Sequence, residues 1–500
     1  MNTTYKFSGK PEEYRRALRQ FTLDELLKCI NKESVQLLYE DNQDHHAMKE
    51  VRIPTINLTT RQREFKEALI SAWDLIDLAY NAICTTNDYR GKYPDANEVY
   101  MLCLETRAIM ERREESIHDK IRQTPIFFFF LWGFAGEQFK MQRISSIFKI
   151  AARELYIILD LAKRKACNDY EAIILQETGV NWKVLISSLL LAWFAFLEND
   201  LEIMKSSIFW DKEFSENDFD RVIDRYTADY KEIRSSPLGR QIFYTKPYVR
   251  TQRGDILSIN SYLNLCIYEH CILWIIREYY RKQNSGKFLN DFGALFESYF
   301  EELLERYVEK DQYTRILENK KDERADWVMS LLGYTFIIEQ KSTIISLTAK
   351  QQETDFKNIE KFAIQTLIKA LHQLRSTETS LQNNKCIKVI LLYEDYLIPE
   401  VLNYVFDLPE CDIINDQYYW IVTIDDMEKL LYLYKNDKDI CKKIIEEKIQ
   451  REENNAIDGK RLQIMFSKYG VNKNKHLEQK QIQHYENAAL GFIRGRIQAK

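Results

Sequence analysis

The chain has 500 residues, 45% of them hydrophobic and 29% charged, with 14 glycines, 8 prolines and a net charge of −5. So few turn formers and so much apolar content describe an ordered globular protein with long helices, and exclude collagen-like repeats, disordered linkers and turn-rich all-β sandwiches. The balance of charge excludes a surface that is polycationic throughout, so a nucleic-acid site must be local.

At about 100–200 residues per domain the length suggests two to four domains. Nine cysteines, an odd number with no C-x-x-C pair, fit a reduced cytoplasmic protein better than a disulfide framework or a zinc site. The charged run Pro11-Glu12-Glu13-Tyr14-Arg15-Arg16 follows the start without an apolar segment, so a cytoplasmic location is expected. Two apolar stretches, Ile126 to Phe134 and Val184 to Leu197, fall short of the roughly 18–20 residues a membrane span needs and are expected to be buried helices.

From about residue 20 to 235 the pattern is helical. Thr22-Leu23-Asp24-Glu25 has the form of a capping box, as does Ser215 with Asp218 ahead of Phe219 and Val222. Phe65, Leu69, Trp73, Ile76, Tyr80 and Ile83 recur at helical spacing and predict one helix face. His45-His46 lies in a polar loop, where a solvated turn outweighs a metal site. The stretch 235–255, with Pro237, Gly239 and Gly254, interrupts the pattern and is the expected domain boundary. Its Arg240, Lys246, Arg250 and Arg253, interleaved with Tyr244 and Tyr248, are candidates for tracking a phosphate backbone and stacking on bases; a solvated linker is the plainer reading.

A further helix is expected from 257 to 283, and mixed α/β order beyond it. Strand-like runs appear at 325–332, 335–343, 386–393 and 419–424, with a weaker one at 313–317. The first two flank Gly333-Tyr334, which suits a tight hairpin loop. That loop would set Asp326 opposite Lys341 and Val328 opposite Glu339, and period-two alternation would put Asp326, Glu339 and Lys341 on one sheet face. Two adjacent carboxylates can hold a Mg²⁺ that keeps several waters, and a neighbouring ammonium can orient a nucleophile. A cross-strand ion pair on a solvated face is the plainer alternative.

The Asp326 … Glu339-Gln340-Lys341 pattern resembles the PD-(D/E)XK nuclease superfamily, which has the restriction-endonuclease-like fold. Gly293-Ala294-Leu295-Phe296-Glu297 resembles that family's first core helix, and Gln373, on a helix expected from 354 to 376 with Gln365 and Lys369 on the same polar stripe, resembles its second. The resemblance covers about residues 288–430; where the family often has Pro before the Asp, this chain has Ala325. Taken with the helical pattern upstream and the basic tail, it implies an α+β protein: an all-α region over 1–235, a basic linker and connecting helix over 236–287, an αβββαβ nuclease-like domain over 288–436, and a basic helical segment over 437–500. It further implies Mg²⁺ or Mn²⁺ held by Asp326, Glu339 and Glu297, with Lys341 activating water and Gln373 supporting it. The expected partner is nucleic acid, DNA ahead of RNA, and not a membrane. The helical region would recognise a target, bind an accessory protein or form a homodimer, in a restriction or phage-defence effector. A nuclease fold that binds without cutting, or one that cuts RNA, are the alternatives. No P-loop and no Gly-x-Ser-x-Gly motif is present.

Overall fold

The computed structural model describes residues 10–40, 48–56, 63–121, 149–165, 167–198, 210–316, 324–342, 363–381, 386–393, 399, 401–414, 416, 418–454 and 460–498. His45, His46, the Ile126–Phe134 run, and Phe356, Ile359 and Phe362 of the expected helix lie outside them. The architecture is mixed α+β. Two compact units are present, one formed by residues 1–124, 174–271 and 486–500, the other by 125–173 and 272–485. Among the described residues no single helix is long and apolar enough to cross a membrane.

The first unit is mainly helical but not all-α. Strands β1 (Met48–Ile56) and β2 (Arg63–Ser71) form an antiparallel hairpin, and β3 (Thr227–Asp229), β4 (Tyr248–Arg250) and β5 (Ile256–Ser258) form a three-stranded sheet in the order β3-β4-β5. The expected helix face beginning at Phe65 therefore starts later. The Ser71 hydroxyl accepts the Asp74 amide while the Asp74 carboxylate accepts the Ser71 amide at 2.7 Å, a capping box that opens the helix at Ala72. Upstream, strand alternation buries Ile70 and leaves Leu69 53% exposed, which a core-facing helix position would not allow. The Ser215–Asp218 capping box forms as expected. The Val184–Leu197 stretch lies in the helix Trp182–Leu197, with Leu185, Leu189 and Ala192 buried.

The expected boundary at 235–255 is instead interior to this unit. Strand β4 is the middle strand of its sheet, and Tyr248 is fully buried against the Phe196 ring. Pro and Gly mark turns within a domain as readily as linkers between domains. The segment 437–500 is not a separate tail either. The helix Lys438–Glu453 buries Cys441, Ile444 and Ile445 in the second unit, and residues from 486 onward belong to the first.

The second unit is built on one five-stranded sheet in the order β10-β9-β8-β7-β6. Its strands are β6 (Tyr313–Arg315), β7 (Trp327–Leu331), β8 (Tyr334–Lys341), β9 (Cys386–Leu392) and β10 (Tyr419–Thr423). β6, β7 and β8 are antiparallel; β9 and β10 run parallel to β8. The helix Lys287–Tyr307 packs on one face, where Phe300 meets Trp327 and the Phe296 carbonyl accepts the Gln340 side chain. On the other face Ile337 and Ile390 pack with Leu367, Leu371 and Leu374, carried by a π-helical turn (Ala363–Ile368) and the helix Lys369–Leu381. The central strand β9 is apolar except for Lys388, and β8 is apolar over Phe336–Ile338, as strands covered on both faces tend to be.

Within this unit Arg153 is buried and donates to both oxygens of the buried Glu428, at 2.7 and 2.6 Å, and to Asp425. Tyr299 and Asn474 also donate to Glu428, and Lys429 pairs with Asp425. The network joins helix Lys149–Leu155 to helices Lys287–Tyr307 and Ile424–Asn436.

The hairpin register differs from the expected one. The loop is Leu332-Gly333, so Leu331 pairs with Tyr334 and Trp327 with Ile338. Both loop residues have positive φ, 52° and 87°, the twist of the primed two-residue turns that suit a right-twisted hairpin. The displacement is two residues along β8, and since side chains alternate with period two, the face carrying Glu339 and Lys341 is unchanged. This turn makes opposite predictions at adjacent positions. In denaturant unfolding, Leu332→Asn should raise stability by about 0.5–1 kcal/mol by relieving the left-handed strain, while Gly333→Ala should lower it by about 1 kcal/mol.

Candidate active site

The edge of the hairpin near the end of β8 gathers four of the five expected site residues. Asp326 immediately precedes β7; its amide donates to the Ile338 carbonyl at 3.0 Å, and its carboxylate accepts the Gln340 amide at 2.6 Å. Glu339 projects from β8 into the face covered by the helix Lys369–Leu381 and is 3% exposed. Two residues on, the Lys341 ammonium donates to Glu339 Oε1 at 2.5 Å and to Gln373 Oε1 at 3.1 Å. Gln373 is fixed by donating to the Arg324 carbonyl at 3.2 Å. One turn further along that helix, the Thr377 hydroxyl donates to the Gln373 carbonyl and accepts the Ala325 amide, both at 2.9 Å. The helix thus clamps the start of β7 and holds the lysine.

Glu297 is placed differently. It lies on the helix Lys287–Tyr307 and forms an ion pair with Arg315 of β6. A metal at Glu297 would have to compete with that guanidinium.

The electrostatics centre on Glu339. Burial pushes its carboxyl up to about 8; Lys341 draws it down, Asp326 pushes it up, and Lys369 draws it down. Oε1 is occupied by Lys341, whereas Oε2 is buried with no hydrogen-bond partner. An unsatisfied carboxylate oxygen beside a second carboxylate is a costly arrangement for a structural ion pair and a suitable one for a divalent cation. Among the described residues no cluster of three or more His, Cys, Asp or Glu side chains could hold a metal. The two carboxylates Asp326 and Glu339 are a donor set that suits Mg²⁺, which is commonly held by one or two carboxylates with water and substrate phosphate completing its shell.

Three supporting residues have no role in the sequence expectation: Thr377, which clamps the start of β7, Gln340 and Lys369. Gln340, between the acid and the lysine, accepts the Trp327 indole N–H at 2.7 Å and so ties the two strands on the face opposite Glu339. Lys369 was placed on the polar stripe with Gln373, but its action on Glu339 follows only from packing that stripe over β8.

The expected basic stretch of the first unit is largely neutralised. Arg240 pairs with Asp77, Lys246 with Glu232 at 2.6 Å, and Arg250 with Asp224. Tyr248 is buried and presents no face to a base, and Tyr244 packs near the Trp73 ring. Arg253 lies in an exposed turn.

The raised Glu339 carboxyl sets a pH dependence. An unfolded glutamate ionises near 4.5, whereas the folded one holds its proton to about 8. The folded state therefore binds more protons between these limits, and this contribution to stability is lost as pH rises through them. Relative to wild type, Glu339→Gln should become steadily more stable between pH 5 and 8 in thermal unfolding with EDTA, and Mg²⁺ should raise the midpoint of wild type but not of the variant. A difference independent of pH would refute the buried proton.

No protein-family model matches the chain, and no curated protein and no solved structure matches it either.

Proposed function

We propose that the second unit is a metal-dependent nuclease of the PD-(D/E)XK type that hydrolyses phosphodiester bonds, DNA ahead of RNA. The observation that carries the reading is the buried Glu339 carboxylate, one oxygen held by Lys341 and the other without a partner, beside Asp326. The element order supports it: the helix Lys287–Tyr307, the antiparallel β6-β7-β8, the helix Lys369–Leu381, and β9 parallel to β8 give the αβββαβ order of the restriction-endonuclease-like fold.

In this reading Asp326 and Glu339 hold Mg²⁺ or Mn²⁺, which when bound acidifies water and offsets charge on the phosphoryl oxygens. Lys341, oriented by Glu339 and Gln373, presents its remaining N–H to the attacking water or to a nonbridging phosphate oxygen and stabilises the charge that develops there. Gln373 and Thr377 keep the lysine and the start of β7 at a constant separation. Glu297, engaged by Arg315, favours a second reading, a nuclease fold that binds nucleic acid without cutting it.

Incubation with supercoiled plasmid, linear duplex, single-stranded DNA and structured RNA, with Mg²⁺, Mn²⁺ or EDTA, separates the readings. Cleavage is expected with either metal and not with EDTA. Asp326→Asn, which keeps an oxygen for the Gln340 amide, and Lys341→Ala should each lower the rate at least about a hundredfold, with thermal midpoints near wild type. Cleavage of RNA alone would change the substrate, and no cleavage of any substrate would favour the binding subunit.

A further inference from the structure

The neutralised stretch around Arg240 leaves the first unit with a different basic surface, formed by the helix Pro11–Leu18 and the loop 86–95. Tyr14 and Leu18 bury one side of that helix, and Arg15, Arg16 and Arg19 are exposed. The loop is fastened to its end. Thr22 donates to the Lys92 carbonyl at 3.0 Å, Lys92 donates to the Gln20 carbonyl at 2.9 Å, and Asp88 Oδ1 accepts the Leu23 amide at 2.7 Å. Asp88 and Gly91 adopt positive φ, 55° and 59°, so the chain turns sharply on both sides of Arg90. Arg90 donates to Gln20 Oε1 at 2.8 Å, and Gln20 in turn donates to the Arg16 carbonyl at 3.1 Å, which joins loop and helix into one surface.

Two properties distinguish this surface. Among the described residues no carboxylate lies within ion-pair distance of Arg15, Arg16, Arg19 or Arg90; Arg19 donates to the Thr85 carbonyl, Glu13 pairs with Lys10, and Lys92 pairs with Glu98. Tyr89 and Tyr93 stand out from the same loop, 85% and 71% exposed, although the loop's backbone is anchored. Guanidiniums without acidic partners attract phosphate, and aromatic faces open to solvent attract unpaired bases.

We infer that this surface binds a single strand of nucleic acid, with phosphates on Arg15, Arg16, Arg19 and Arg90 and bases stacked on Tyr89 and Tyr93. A duplex buries its base faces within the stack and leaves the two rings without a role. An acidic peptide uses the arginines but not the rings.

The inference does not depend on cleavage, and its test is done in EDTA on the full chain. The probe is a fluorescent oligothymidylate of roughly 20 nucleotides, longer than the 4–16 that one binding module commonly covers, with affinity read by anisotropy across a salt series. The double variant Tyr89→Ala/Tyr93→Ala should bind at least about tenfold more weakly with an unchanged salt dependence. Arg16→Gln/Arg90→Gln should flatten the slope of log affinity against log salt by about 1.4, since each phosphate contact to a single strand contributes about 0.7. All these side chains are exposed, so thermal midpoints should match wild type. The inference is overturned if wild type does not bind, if the tyrosine variant binds as well as wild type, if a duplex of the same length binds equally tightly, or if polyglutamate or phosphatidylserine vesicles displace the oligonucleotide at lower charge concentration than unlabelled competitor does.

Discussion

The second unit depends on β8 being buried on both faces. A strand in that position contributes apolar residues to two layers, and Phe336, Ile337 and Ile338 do so with no measurable exposure. The sequence then places Glu339 in the next position, where burial pushes the carboxyl up to about 8 against the attraction of the adjacent Lys341. Everything described at the site follows from this conflict between a strand that excludes water and a side chain that requires it. The lysine, the glutamine that fixes it and the opposing aspartate all surround that carboxyl.

Other buried charges in the same unit show how such groups are accommodated when they serve the fold. Glu428 receives both arms of Arg153, a tyrosine hydroxyl and an asparagine amide. Lys388, fully buried on β9, donates to Glu378 and Asp416 at 2.7 Å each and lies over the Tyr419 ring. These ions have opposite charges and hydrogen bonds arranged around them, which offsets the desolvation that burial imposes. Glu339 retains an oxygen without a partner. What sets Glu339 apart is the combination: an oxygen without a partner on a buried carboxyl that faces a second carboxylate, Asp326, and carries Lys341 on its other oxygen, which gives a physical reason to regard that position as a site for a ligand.

The first unit shows why basic residues counted along a chain are a weak guide to a binding surface. Arg240, Lys246 and Arg250 belong to a segment rich in positive charge, but Asp77, Glu232 and Asp224 reach them from elsewhere in the unit. Arg15, Arg16 and Arg19 share their helix with two glutamates, and there the acids occupy the first turn while the arginines lie toward the other end, as the helix dipole favours. Local composition ranks the two segments in one order; the arrangement of acidic partners reverses it.

By itself the sequence determined the positions of the β-rich runs that became β7 to β10, the hairpin, and the shared face of Asp326, Glu339 and Lys341. These follow from short-range regularities: alternation within a strand, and a turn signal between two apolar runs. The shared face survived even the two-residue change of register, because a shift by an even number preserves alternation. The stripe of Lys369 and Gln373 was legible for the same reason, as a periodicity within one helix. Only the tertiary structure decided that Leu332 rather than Tyr334 joins Gly333 in the turn, that Phe65 and Leu69 lie in a strand, and that Arg315 engages Glu297. It also decided that residues 235–255 are interior to a unit assembled from three separate stretches of chain. Each of these depends on partners distant in sequence: the neighbouring strand that takes the backbone hydrogen bonds, the opposite charge that arrives from another element, or the ring against which Tyr248 is buried. Periodicity within a segment specifies which side chains lie together on a face, but not what that face meets.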